Sequence, residues 1–100
     1  MPLPGDLRAW DECLSGPVVV GIEAETRPSD LQAVERAIAL KVRDSGVDRA
    51  ILLVASSQAN REMIRRHISV VRQAFPMDTR GTLASLAAGR DPGANGLVVL

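Results

Sequence analysis

The run AILLVA, residues 50–55, is continuous and apolar. Short apolar runs of this kind are typical of strands that are buried on both faces of a parallel sheet. Ahead of it, residues 31–45 carry apolar side chains at helical spacing, and Gly46 is placed as a C-cap. Further ahead, residues 18–26 are rich in β-branched residues and predict another strand. Strand, helix and strand in this order predict a right-handed βαβ unit.

The flanking segments predict further elements around this unit. Residues 7–14 have apolar side chains at helical spacing and predict a short helix, and the helix of the βαβ unit is expected to begin at a Ser29 cap. Residues 57–75 predict one long amphipathic helix, residues 79–88 a further helix, and residues 97–100 a last strand. The expected fold class is α/β, a small three-layer domain with a mixed, mainly parallel sheet around the βαβ core.

The composition restricts the function classes. With 100 residues, of which 46% are hydrophobic and 24% charged, the chain is expected to form one globular domain over residues 1–100. The 12 basic and 12 acidic residues cancel, which argues against non-specific coating of nucleic acid. No apolar run is long enough to span a membrane, so a cytoplasmic location is expected. Cys13 is the only cysteine, which excludes an internal disulfide and favours a small buried hydrophobic residue.

Glu23 and Glu25 stand one residue apart near the end of the first strand of the predicted βαβ unit. Residues two apart in a strand share a face, so both carboxylates are expected to point the same way. With a third carboxylate from Asp11 or Asp6, they would suit an oxygen-coordinated magnesium or manganese ion. The alternative is a strand end that has reached solvent, because glutamates are common there.

Other polar residues are expected at the same edge, because ligands of open α/β sheets bind outside the carboxyl ends of the strands. Gln32 lies in the first turn of the predicted helix, and Arg27 and Arg36 are candidate phosphate contacts there. Lys41 lies about 13 Å along the helix from Gln32, at about 1.5 Å per residue. It is therefore not expected to reach the glutamates, and its stem is expected to pack along the edge of the core.

His67 and a group of arginines lie on the long helix predicted over residues 57–75. His67 falls on the apolar side of this helix, where a core-edge histidine is expected rather than a metal ligand or a base. Arg61, Arg65 and Arg72 share the other face, which is typical of a solvated surface. The alternative for these arginines is phosphate binding.

Segments spread along the chain carry a family resemblance. They are PLPGDLRAWDECL, VGIEAETR, DLQAVERAIALKVRDSGVDRAILLVA, ANR, FPMDTR and LAAGRDPGANGLVVL. Together they resemble the C-terminal domain that follows a helix-turn-helix region in many bacterial regulator-like proteins, and the resemblance covers nearly the whole chain. That domain is similar to the restriction-endonuclease-like (PD-D/E-x-K) superfamily. The resemblance implies that the chain is the C-terminal part of a longer protein, whose upstream helix-turn-helix region would bind DNA.

The resemblance also implies roles for individual residues. The active site of that superfamily combines an Asp, a Glu-x-Lys element on the next strand and, in many members, a glutamine on the following helix. Glu23 and Glu25 stand at the two ends of the Glu-x-Lys element. Gln32 stands for the helix glutamine, and Asp11, or else Asp6, stands for the leading Asp. Glu25 thus replaces the lysine that would position and activate the attacking water.

Three functions are consistent with these residues. The first is a nuclease-like effector or interaction domain of a bacterial DNA-binding transcriptional regulator with a weak or inactive site, which the neutral charge and the missing lysine favour. The second is an active magnesium-dependent endonuclease that uses Glu23, Glu25 and an upstream Asp. The third is an unrelated α/β domain that binds a small molecule, which would require a defined apolar pocket. A homodimer is a further expected state, and no membrane partner is expected.

Overall fold

A computed structural model of this α/β chain describes residues 10–28 and 30–100. In chain order the elements are β1 (Glu12–Ser15), β2 (Val19–Glu25), α1 (Leu31–Ser45), β3 (Arg49–Val54), α2 (Gln58–Arg66), α3 (Ile68–Ala74), α4 (Thr79–Ala87) and β4 (Gly96–Val99). The sheet has the order β1-β2-β3-β4, with β1 antiparallel to β2 and with β2, β3 and β4 parallel. The expected mixed, mainly parallel sheet is confirmed. Within the described ranges, no helix is long and apolar enough to cross a membrane.

The predicted βαβ unit is confirmed. β2 and β3 are parallel neighbours, and α1 connects them. Gly46 ends α1 in the left-handed conformation, at φ 72°, as a C-cap glycine should. At the other end of α1, the carboxylate of Asp30 accepts a hydrogen bond from the amide of Ala33 at 3.1 Å, which makes Asp30 the N-cap. The expected cap, Ser29, lies outside the described residues.

The helix expected over residues 7–14 is wrong in its described part, because Glu12–Ser15 forms the strand β1. The bend at Gly16 and Pro17 allows β2 to run back along β1 as its antiparallel partner. Pairing with β2 stabilises this segment as a strand, whereas a short isolated helix is marginal in water. Cys13, expected to be buried, is half-buried on this edge strand. The beginning of the segment lies outside the described residues.

The two faces of the sheet carry separate apolar clusters. On the first, which we call the α1 face, α1, α2 and α3 pack over a cluster that includes Leu52 of β3. On the second, the α4 face, Val20, Ile51 and Val98 form a smaller cluster that is in contact with Leu86 of α4. Side chains alternate between faces along each strand, so each central strand contributes to both clusters. Helices on both faces give the three expected layers.

The single helix expected over residues 57–75 is two helices, α2 and α3, which meet at His67. His67 has non-helical backbone angles, φ −112° and ψ 30°, and its side chain is exposed, so the expected core-edge position is wrong. Ile64 of α2 and Val71 of α3, on either side of this break, both pack on the α1 face. A straight helix would follow a small twisted sheet over a shorter length.

The loop before β4 holds the amino end of β3. The side-chain oxygen of Asn95 accepts a hydrogen bond from the amide of Ala50 at 2.9 Å. Arg49 binds Asp91 through Nε at 3.0 Å and through Nη2 at 3.1 Å. The amide of Gly93 and the guanidinium of Arg49 hold the pKa of Asp91 below its usual value. The polar groups at the amino end of β3 therefore bind one another.

Candidate functional site

Lys41 of α1 binds Glu23 of β2 on the α1 face of the sheet. Its Nζ atom donates to Oε2 of Glu23, in an ion pair whose side chains are 30% and 12% exposed. The expectation that Lys41 cannot reach the glutamates is therefore wrong. That expectation was based on the distance along the helix axis from Gln32, at the start of α1, to Lys41. Because α1 leads back towards the amino end of the neighbouring parallel strand, its later turns lie over β2, and the lysine stem spans the remaining gap.

Trp10 supports this ion pair from the side of the sheet. The lysine Nζ lies 5.9 Å from the centroid of the Trp10 ring, within the range of a cation–π contact. Trp10 Nε1 donates to the hydroxyl of Ser45 at 2.9 Å, and that hydroxyl donates to the backbone carbonyl of Lys41 at 2.6 Å. The ring lies against Gly21, where any side chain would collide with it. Trp10 thus ties α1 to β2 beside the Lys41–Glu23 pair.

Asp11, the residue before β1, contacts the same part of β2. Its Oδ2 atom accepts a hydrogen bond from the amide of Ala24 at 2.8 Å. Ala24 separates Glu23 from Glu25 in the sequence, and the antiparallel pairing of β1 with β2 brings Asp11 to this point. Asp11 thus binds the backbone of β2 one residue after Glu23, whose side chain binds Lys41.

The carboxylates of this site already have partners from the protein. An ammonium engages Glu23, and a backbone amide engages Asp11. Across residues 10–28 and 30–100, no three His, Cys, Asp or Glu side chains form a group that could hold a metal ion. Asp6, the alternative to Asp11, lies outside the described residues. In this arrangement Glu23 is bound to the ammonium of Lys41. A metal site formed by Glu23, Glu25 and Asp11 stays a prediction.

The remaining predicted site residues line different hollows of the surface. Gln32 lines one of about 470 Å³ together with Asp30, Met63 and His67, between α1 and the α2–α3 junction. Arg27 lines another, of about 510 Å³, between the end of β2 and the start of α2. Glu25 lines a third, at the ends of β2 and β3. Arg36 is exposed on α1. The structure thus places Gln32, Arg27 and Glu25 on three separate hollows rather than in one pocket.

Asn60 connects the elements at the carboxyl edge of the sheet, which is the side where the parallel strands end. The sequence pattern does not indicate this role. Its side-chain Nδ2 donates to the carbonyl of Thr26 at 2.8 Å and to that of Ala55 at 3.0 Å. The side chain is buried, with the residue 5% exposed. These bonds join the ends of β2 and β3 to the first turn of α2. The Ser57 hydroxyl accepts from the Asn60 amide, so the cap was readable from the sequence, but no local pattern indicates that the Asn60 side chain faces the ends of the strands.

Comparison of the chain with protein-family models, with curated proteins and with solved structures yields no match.

Proposed function

We propose that this chain is a nuclease-like effector or interaction domain of a bacterial DNA-binding transcriptional regulator, with a site that has lost its metal chemistry. One observation carries the proposal, namely the ion pair between Lys41 and Glu23. The family resemblance assigns Glu23 to the metal-binding carboxylates. An ammonium bound there supplies the positive charge that a divalent cation would bring.

The surroundings of the pair support this reading. Glu23 is largely shielded from solvent, so its negative charge needs a nearby positive partner. Trp10 and Ser45 hold the turn of α1 that carries Lys41. A divalent cation at Glu23 would have to displace the ammonium or share one carboxylate with it, and either arrangement costs electrostatic free energy. The pair therefore favours a structural role for Glu23 over metal binding.

An active magnesium-dependent endonuclease is the second candidate, and the same lysine favours it in a different way. In the sequence, Glu25 stands where the superfamily has its lysine. Lys41 reaches the site from α1 and supplies a lysine side chain next to Glu23. This candidate requires the Lys41–Glu23 contact to open so that Glu23, Glu25 and Asp11 can turn towards a common ion.

Metal-dependent melting of matched variants separates the two candidates. The wild-type melting temperature is expected to be independent of magnesium and manganese. Lys41→Gln should lower stability by about 2 kcal/mol, because it leaves the shielded Glu23 carboxylate without its cation, while the partial exposure of Lys41 reduces the loss. In this variant manganese should restore stability by mass action, since Glu23 has lost its cation. The double variant E23Q/K41Q should not respond to manganese, and Arg43→Gln, on the exposed side of α1, is the matched control.

The outcome that contradicts the proposal is equally defined. A wild-type melting temperature that rises with manganese, together with metal-dependent cleavage of plasmid DNA that E23Q abolishes, would establish the active endonuclease instead. Absence of any manganese effect in Lys41→Gln, with cleavage also absent, would show that Glu23 has no capacity for metal. The link to a metal-binding ancestor site would then fail.

A further inference from the structure

Positive charge is concentrated on α2 and α3, although the whole chain has no net charge. Residues 58–74 contain four arginines and a single acidic residue, Glu62. Arg61, Arg65, Arg66 and Arg72 are all exposed. The ion pairs within residues 10–28 and 30–100 are Lys41–Glu23, Arg43–Asp44 and Arg49–Asp91, and none of them involves α2 or α3. These arginines thus carry positive charge that no ion pair in the described part of the chain neutralises.

The arginines of α2 also repel one another. Arg61 and Arg65 lie four residues apart, on one face of the helix, and Arg66 follows directly. Like charges at this spacing destabilise a helix. An anionic partner would reverse the sign of this interaction. Arginine suits a phosphate partner in particular, because its planar guanidinium can donate two parallel hydrogen bonds.

The surface formed by Arg61, Arg65 and Arg66 is continuous with the carboxyl edge of the sheet. Asn60, in the first turn of α2, binds the carbonyls at the ends of β2 and β3. Arg27, at the end of β2, lines the same hollow as Asn60 and Ser57. Arg61 follows Asn60 directly and donates a hydrogen bond to Ser56, the residue before the α2 cap. Basic side chains therefore extend from the edge of the sheet along α2.

We propose that Arg61, Arg65 and Arg66, with Arg27 at the edge of the sheet, contact the phosphodiester backbone of a nucleic acid. The inference rests on the proposed function, which places the domain next to a duplex, and it assigns the domain a contact of its own. The chain has one Trp, one Phe and no Tyr, and both aromatic rings are buried. Bases therefore have no Trp, Tyr or Phe ring at the surface on which to stack, and the proposed contact is to backbone charge, independent of base sequence.

A membrane surface is the less suitable partner for these arginines. Interfacial membrane helices combine basic residues with a broad apolar face that enters the lipid. On α2 and α3 the exposed large hydrophobic residue is Ile68, whereas Met63, Ile64, Val71 and Ala74 pack on the α1 face. Charge without an accompanying apolar face favours a soluble polyanion.

Salt-dependent binding of a short fluorescent DNA duplex of mixed sequence tests the proposal. The full chain should bind the duplex, with an affinity that falls as salt rises. R61Q/R65Q should reduce the slope of log K against log salt by about 1.8 if each arginine neutralises one phosphate. R80Q/R90Q removes the same charge from α4 and the following loop, and it should bind like the wild type. R65Q/R66Q keeps the Arg61–Ser56 bond and replaces R61Q/R65Q if the latter melts early.

Each other outcome overturns the proposal. Equal losses in R61Q/R65Q and R80Q/R90Q would show an effect of total charge rather than of this surface. Binding to vesicles of anionic lipid without binding to the duplex would assign the arginines to a membrane. Absence of binding to either probe would leave them as a solvated face. None of these results affects the manganese response of Lys41→Gln, so failure here is distinguishable from failure of the proposed function.

Discussion

Gly21→Ala should destabilise the protein by displacing Trp10. A Cβ atom at position 21 would lie 2.5 Å from Cδ2 and 2.6 Å from Cε2 of the Trp10 ring, well inside van der Waals contact. Gly21 lies in β2, which is hydrogen-bonded to β1 on one side and to β3 on the other. The backbone of β2 therefore cannot yield easily, and the ring must move.

The size of the effect follows from the burial of the ring. Trp10 is 5% exposed, and a buried aromatic side chain removes about 150–250 Å² from water. At about 25 cal/mol per Å², complete loss of this burial would cost about 4–6 kcal/mol. Partial displacement should cost roughly half of that, about 2–3 kcal/mol. For a domain of this size the melting temperature should fall by roughly 10–20 °C.

Thermal unfolding followed by circular dichroism measures this loss. Trp10 is the only tryptophan, so its emission spectrum reports the position of the ring directly, and it should shift to longer wavelength in Gly21→Ala. Gly16→Ala is the matched control, because a Cβ atom at position 16 meets nothing within 4 Å. The packing argument is refuted if the two variants melt within about 4 °C of each other, or if Trp10 emission stays unchanged in a destabilised Gly21→Ala.

Two further predictions concern the edges of the sheet. Asn60→Ala should lower the free energy of unfolding in urea by about 2–4 kcal/mol, because two backbone carbonyls lose their donor. The control Gln58→Ala, at an exposed position, should change it by less than about 0.5 kcal/mol. Similar losses in both variants would contradict the role of Asn60. The Gly93 amide and Arg49 lower the pKa of Asp91 in the folded protein. The contribution of Asp91 to stability is therefore complete above the pKa of the unfolded chain, about 3.9, and is lost as the pH falls through the lower pKa of the folded protein. The urea midpoint of Asp91→Asn should therefore fall less steeply with decreasing pH than that of the wild type, and identical slopes would refute this assignment.

The sequence predicted the central part of the fold because the relevant signals are local. The apolar run of β3, the amphipathic pattern of α1 and the glycine at position 46 each act within a few residues. A right-handed βαβ unit follows from those signals and from chain stereochemistry. The positions of Glu23 and Glu25 on the same strand were likewise readable, since side-chain alternation is a property of any strand.

β1 and the α2–α3 junction could not be predicted in the same way. The segment before Gly16 has helical spacing, and it becomes a strand only because β2 offers hydrogen bonds along its edge. The pattern of residues 57–75 is helical throughout, and the break at His67 depends on which part of the sheet each half must cover. Long-range packing decides in both cases over the local preference.

By itself, the sequence determined the α/β class, the βαβ core and the candidate carboxylates. Tertiary structure alone decided which partners those carboxylates have. Lys41 and Glu23 are 18 residues apart, and Trp10 and Ser45 are 35 apart, so no local pattern connects them. They meet because α1 leads back across β2, and because Gly21 leaves room for the Trp10 ring beneath the lysine. The chemistry of Glu23 therefore depends on the geometry with which one helix crosses one strand.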